Sequence, residues 1–227
     1  LTSCTEYEVQ IRTDCGEQIL DFGNTRFFRT SGCGPCLDLD YCEPDNINAS
    51  EEWIDSISLH TLQWASGPDG GYGAFTDLPE LVLEAGASYD LTLVPGYNDF
   101  AWSEYFSIWI DLNQDGFFAE DERVFDPGGT VNTALTGTLT VPFDAQAGST
   151  RMRVVMQFEQ INSNCIFPPG SFGEVEDYCL QILPLTTCHP PTALDTVFVA
   201  QTLTSLEWEA FGGATGYLVE YRTESDT

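Results

Sequence analysis

The apolar residues of this chain recur at every second position in short runs, as in SYDLTLV at 88–94 and FSIWID at 106–111. Almost nowhere do they recur at helical spacing. A period of two places alternate side chains on opposite faces of an extended strand, whereas a helix needs a period near 3.6. The runs are bounded by Gly, Pro, Asn and Asp, the residues that turns favour. Strands are therefore expected at Glu6–Arg12, Thr25–Arg29, Trp53–Leu59, Leu81–Leu83, Ser88–Val94, Phe106–Asp111, Gly137–Val141, Arg151–Phe158, Val175–Leu183, Thr196–Ala200, Ser205–Glu209 and Tyr217–Arg222. Only Ala49–Trp53 could open a helical turn, with Ser50 as its cap. The expected fold class is all-β, built as stacked sandwiches.

Charge narrows the partners. Seven cations, all of them Arg, face 36 carboxylates, for a net charge of −29. A surface this acidic is repelled by nucleic acid and by anionic lipid, so neither is expected as a partner. It suits divalent cations or saline surroundings, and by itself it also serves solubility. There is no apolar run long enough to span a bilayer, so no membrane insertion is expected. With no initiator Met and no basic-then-apolar leader, the chain reads as a mature or excised segment.

The eight cysteines are Cys4, Cys15, Cys33, Cys36, Cys42, Cys165, Cys179 and Cys188. An even number in a loop-rich chain reads as disulfides formed in an oxidising place. The two histidines, His60 and His189, do not give paired zinc-ligand spacing. Cys33-Gly-Pro-Cys36 has the spacing of a redox motif, which wants a helix start after it. The acidic, proline-interrupted LDLDYCEPDN that follows offers none, so structural disulfides are the expectation.

One string has ligand chemistry at the right spacing. Asp111–Glu122 (DLNQDGFFAEDE) reads as a 12-residue calcium loop, with Asp111, Asn113 and Asp115 at positions 1, 3 and 5. A Gly makes the turn at position 6, the Phe117 carbonyl stands at 7, and Glu122 at 12 could bind bidentately. Its flanks, FSIWI and RVF, are strand-like, so this is a calcium loop in a β context; the plain alternative is an acidic hairpin with solvated carboxylates.

Further on, GEVEDY places Glu174, Glu176 and Tyr178 on one strand face and Val175 and Asp177 on the other. Arg151 and Arg153 share a face of their own strand. Cross-strand ion pairing is the first reading, a second metal site at Glu174 or Asp177 the next, and a catalytic carboxylate pair the last. Tyr97, Phe100, Trp102 and Tyr105 cluster around a Pro-Gly-Tyr-Asn-Asp loop. They are either a ligand platform, as for sugars, or ordinary edge packing. No HExxH, GxSxG or phosphate-binding Gly loop is present, which argues against an enzyme.

Two family resemblances organise these pieces. LTSCTEYEVQIRTDCG resembles the last-but-one strand of a fibronectin type III domain, with Tyr7 as its tyrosine corner and Val9 and Ile11 pointing inward; RFFRTSGC resembles its last strand. PPTALDTVFVAQTLTSLEWEAFGGATGYLVEYRT resembles the first three strands of another copy, with Trp208 buried. Between them, EEWIDSISL, GGYGAFTDL, FSIWIDLNQDGFFAEDERVF, LTVPFDAQAGSTRMRVVM and GEVEDYCLQI resemble the GEVED domain.

The resemblance implies a jelly-roll-like central sandwich at 37–184, flanked by two incomplete fibronectin type III sandwiches at 1–36 and 185–227. It implies a secreted multidomain protein of Bacteroidetes type. The fibronectin resemblance further implies Cys15 and Cys188 pairing between repeats and Cys4 with Cys33. That leaves Cys42–Cys165 and Cys36–Cys179 as the pairing chosen for the centre. Ser56 and Thr196 resemble acceptors of the O-glycosylation that such bacteria use. Together these imply an extracellular, calcium-binding, homo-oligomeric fibre repeat serving attachment to or capture of other cells, through a surface glycan or protein. The alternative is an accessory binding module of a secreted hydrolase.

Overall fold

The computed structural model describes residues 1–12, 22–158, 160–161, 163–185, 192–200, 202–209 and 216–219. Cys15, Cys188 and His189 lie outside the described residues; of the strand expected at Tyr217–Arg222, Tyr217, Leu218 and Val219 are described and form no strand, and the other half lies outside the described residues. In chain order the strands are β1 Glu6–Val9, β2 Arg26–Arg29, β3 Asp45–Asn48, β4 Glu52–Leu59, β5 Leu62–Ala65, β6 Tyr72–Phe75, β7 Leu81–Glu84 and β8 Ser88–Tyr97. There follow β9 Tyr105–Ile110, β10 Arg123–Phe125, β11 Leu135–Thr140, β12 Gly148–Gln157, β13 Ile166–Leu183, β14 Thr192–Val199 and β15 Thr204–Glu209.

Two corrections fall on local structure. Ala49–Trp53 opens no helix: β4 already runs from Glu52, because its alternating side chains pack into the interior. A short helix, α1 (Pro35–Asp38), does start inside the Cys33–Cys36 motif. Proline at its first turn needs no amide partner there, and the Asp38 carboxylate accepts the Gly32 and Gly34 amides.

The centre is an all-β sandwich. One sheet runs β11-β8-β4-β5, all antiparallel. The other runs β10-β9-β12-β13, and the far edge of β13 is covered in parallel by three short strands in succession. These are β3 at Ile166–Phe172, β6 at Val175–Tyr178 and β7 at Leu180–Leu183. Ile54, Ile57, Leu59, Leu91, Leu93, Ile108, Ile110, Met152, Val154, Leu180 and Ile182 fill the space between the sheets. Each such Leu or Ile contributes about 1.5–3 kcal/mol by leaving water.

A second, smaller cluster sits on the outer face of the larger sheet, under the chain around Tyr41, Phe118, Ile161 and Phe167. β13 is therefore buried on both faces from Gly173 to Leu180. At Gly173 φ is +131° and an added Cβ would stand 2.1 Å from the Met156 carbonyl oxygen. That is room for no side chain but hydrogen.

Two small hairpins flank the sandwich, β1–β2 and β14–β15. Tyr7 accepts the Thr2 amide at 2.6 Å, which ties its phenol oxygen to the chain five residues earlier. Val9 and Ile11, expected to point inward, are exposed, and Trp208 is half-buried against Tyr217. A two-stranded sheet has no second layer to bury them against.

Candidate functional site

Disulfides settle how the chain is tied. Cys33 and Cys36 bond not to each other but to Cys4 and Cys179, and Cys42 bonds to Cys165. All three pairings are those expected from the sequence. The bonds from Cys36 and Cys42 dock the segment 36–42 on the outer face of β12–β13.

Two arginines complete that clamp. Arg153 and Asp177 stand directly opposite in register. Both are fully buried, and the guanidinium forks the carboxylate at 2.7 and 2.8 Å. Its other protons go to the carbonyls of Asn164 and Cys42, each at 2.8 Å. The Phe118 ring lies 4.8 Å away. Arg151 donates to the Cys36 carbonyl, lies over the Tyr41 ring at 4.2 Å, and reaches Asp177 at 3.5 Å. Tyr72 donates to Asp177 at 2.9 Å, and burial, then that carboxylate, pushes its phenol up to about 12. The ion pairing read from the sequence thus exists at Arg151, Arg153 and Asp177.

Glu174 and Glu176 take no part in it, because they face the sandwich interior. Glu174 accepts the Asp69 amide at 2.6 Å and the Ile54 amide at 3.0 Å, so it pins the loop before β6 to the start of β4. Glu176 accepts the Tyr178 hydroxyl at 2.6 Å on one oxygen, while its Oε1 has no hydrogen-bond partner. Burial raises Glu174 to about 7 and Glu176 to about 8. With Asp69 they bring three carboxylate oxygens within 4.8 Å of one another, the one such group among the described residues. Asp69, in GPDGG, was not singled out in the sequence; only the turn chemistry around it was visible.

In the Asp111–Glu122 loop the hard oxygens are arranged as a tight acidic turn. Asp111, fully buried, accepts the Asp115 and Gly116 amides at 3.1 and 3.0 Å and the Tyr41 hydroxyl at 2.6 Å. The Asn113 side chain accepts the Asp115 amide and donates to the Asp115 carboxylate, drawing those two together. Both oxygens of Glu122 are taken: Oε1 by the Leu112 and Asn113 amides, Oε2 by that of Ala119. Burial raises this carboxyl above its ordinary value, and the amides pull it partway back. Asp111, Asn113, Asp115 and the Phe117 carbonyl supply the oxygen types calcium takes. Glu122 thus acts as the clasp of the loop, with a lone pair left on Oε2 for an ion.

The four aromatics divide. Phe100 and Trp102 are exposed and meet edge-on at 4.8 Å, and Trp102 meets Phe158 at 5.6 Å. A cavity of about 340 Å³ opens between Trp102, Phe158, Phe172, Glu51 and Glu52. Tyr97 donates to the Trp102 carbonyl, and Tyr105 packs inward on the second cluster. Behind this patch Glu104 is fully buried with both oxygens unpartnered, and burial, then Glu52, raises it to about 8. Ser56 is half-buried on β4 and Thr196 exposed on β14.

The GEVED domain family matches residues 105–181, which hold the acidic loop, β12 and most of β13. No curated protein matches the chain. The family string itself now has a physical reading. Gly173 makes room for a carbonyl, Glu174 pins a loop, Val175 packs the outer cluster, Glu176 joins the carboxylate group, and Asp177 holds Arg153. Three disulfides fit an oxidising compartment. No helix among the described residues is long and apolar enough to cross a membrane.

Proposed function

We propose that this chain is a non-catalytic, tension-carrying and adhesive repeat of a large secreted surface fibre. The fibre would be of the kind Bacteroidetes export by the type IX route, and would serve attachment to or capture of other cells. One observation carries the reading. Cys4 bonds to Cys33 and Cys36 bonds to Cys179, four residues before β13 ends at Leu183. A pull on the two flanks of the sandwich therefore runs through disulfides and a few residues, and bypasses the hydrogen-bonded sheets. An enzyme or a sugar-binding module has no need of such a path; a fibre subunit does.

The flanking hairpins support the same reading. Phe27, Val197, Phe198 and Val199 are exposed on them, the faces that fibronectin type III partners would cover. Homo-oligomers would form by laying such strings side by side. At −29 per repeat that needs charge compensation, for which calcium at Asp111, Asn113, Asp115 and Phe117 and a saline medium are suited. The exposed Phe100–Trp102–Phe158 patch favours a second reading, an accessory module binding a glycan or protein for a secreted hydrolase. Electron microscopy of the native protein in millimolar calcium decides: regular bundled filaments are expected, and isolated single strings at every salt and calcium level would overturn the fibre.

A further inference from the structure

The carboxylate group of Asp69, Glu174 and Glu176 is built differently from the acidic loop. It joins two glutamates two positions apart on β13 to an aspartate from the loop before β6. Parallel pairing of Tyr72 with Val175 brings the two segments together. Both glutamates are fully buried, yet no cation among the described residues forms an ion pair with them. The arginines of the neighbouring strand, Arg151 and Arg153, point to the opposite face of the sheet and hold Asp177. Arg123, farther along, bonds Glu120 and Asp126. Buried charges of one sign are normally paired or bound to metal.

Three further features belong to a ligand site. Glu176 Oε1 is buried and has no hydrogen-bond partner, because the neighbouring Ser66 hydroxyl donates to the Ile54 carbonyl at 2.9 Å, while its sister oxygen is fixed by Tyr178. The amides of Asp69 and Ile54 orient Glu174 so that the loop and strand are held in place around the group. Asp69 is exposed, which gives the group a path to solvent and water to complete a coordination shell.

We propose that Asp69, Glu174 and Glu176 bind one hard divalent cation of calcium's class, at a site separate from the acidic loop. Carboxylates from two segments with one solvent-facing side suit calcium's irregular shell of six to eight oxygens better than the strict octahedron of magnesium. The ion would neutralise the interior glutamates and lock the loop before β6 to β13. This inference does not depend on the fibre reading, since the site lies within a single chain.

The test is calcium titration of the full chain by calorimetry, with terbium luminescence as a second readout. Tyr178, bonded to Glu176, stands close enough to sensitise a terbium ion held there. Tyr41 touches the acidic loop, so both measurements are made in an Asp115→Ala background that disables that loop. Binding at roughly 0.1–1 mM is expected, the range of extracellular modules, weakened about tenfold or more by Asp69→Asn and by Glu176→Gln. Asp69 is exposed, so Asp69→Asn decides the matter even where the buried variant folds poorly. Absence of binding up to about 10 mM calcium would overturn the proposal, as would binding that survives Asp69→Asn unchanged.

Discussion

Pulling the chain from its two ends tests the covalent path directly. In the oxidised protein the Cys36–Cys179 bond spans a sequence separation of 143 with Cα atoms 5.6 Å apart. The Cys42–Cys165 bond, separation 123, is nested inside it. At about 3.5 Å per extended residue, opening both would release roughly 500 Å of chain from the sandwich. Removing only the outer bond, with Cys36→Ala and Cys179→Ala, leaves the inner one to hold back all but about 20 positions, so the release falls to roughly 70 Å. The Cys4–Cys33 bond, separation 29, adds a further step of about 100 Å on reduction. Single-molecule force spectroscopy with and without reductant reads these lengths. The expected sequence is no sandwich step when oxidised, a short one in the double alanine variant, and the long one when reduced. A step near 500 Å in the oxidised wild type would show that the force runs through the sheets and would refute the reasoning.

Other outcomes follow from single side chains. Arg153→Met leaves Asp177 buried with Tyr72 and a distant Arg151, and strips the Asn164 and Cys42 carbonyls of their donor. A loss of about 3–5 kcal/mol in urea unfolding is expected, and Arg153→Met with Asp177→Leu should recover much of it. The raised carboxyl of Glu104 keeps its proton in the folded state to about pH 8, whereas the unfolded chain ionises near its ordinary 4.5. Its stabilisation is therefore full below that lower value, falls as pH rises, and is lost by about pH 8. Glu104→Gln should flatten that decline by several degrees in melting temperature, and an unchanged pH profile would contradict the burial argument. Glu122→Ala removes the acceptor of three amides and should cost about 2–4 kcal/mol even in chelator. A loss seen only with calcium present would instead make Glu122 a ligand first and a clasp second.

Period-two patterning fixed the fold class and most strands, because alternation is a local property of an extended chain. The same parity set Glu174 and Glu176 apart from Asp177 on one strand, and Arg151 and Arg153 apart from their apolar neighbours on another; that Asp177 and the arginines share a face was decided by the register of β12 on β13. Cysteine count and order, read with the family resemblance, led to the observed pairings. The strands missed were short ones, β3, β5 and β6, whose few residues carry too little alternation to stand out. β3 and β6 pair in parallel with β13 across more than a hundred residues, a contact that no local pattern encodes. The helix at Pro35 was hidden because the cysteine inside it is held by a distant strand.

Sequence alone could name Asp111–Glu122 as a string of calcium-type oxygens, since ligand spacing within one loop is written in one stretch of chain. Only the tertiary structure decided that Glu122 is drawn to three amides and that Asp177 belongs to Arg153. It alone brought Asp69 to Glu174 and Glu176, because their distance is set by how a loop and a strand more than a hundred residues apart are packed, not by their order.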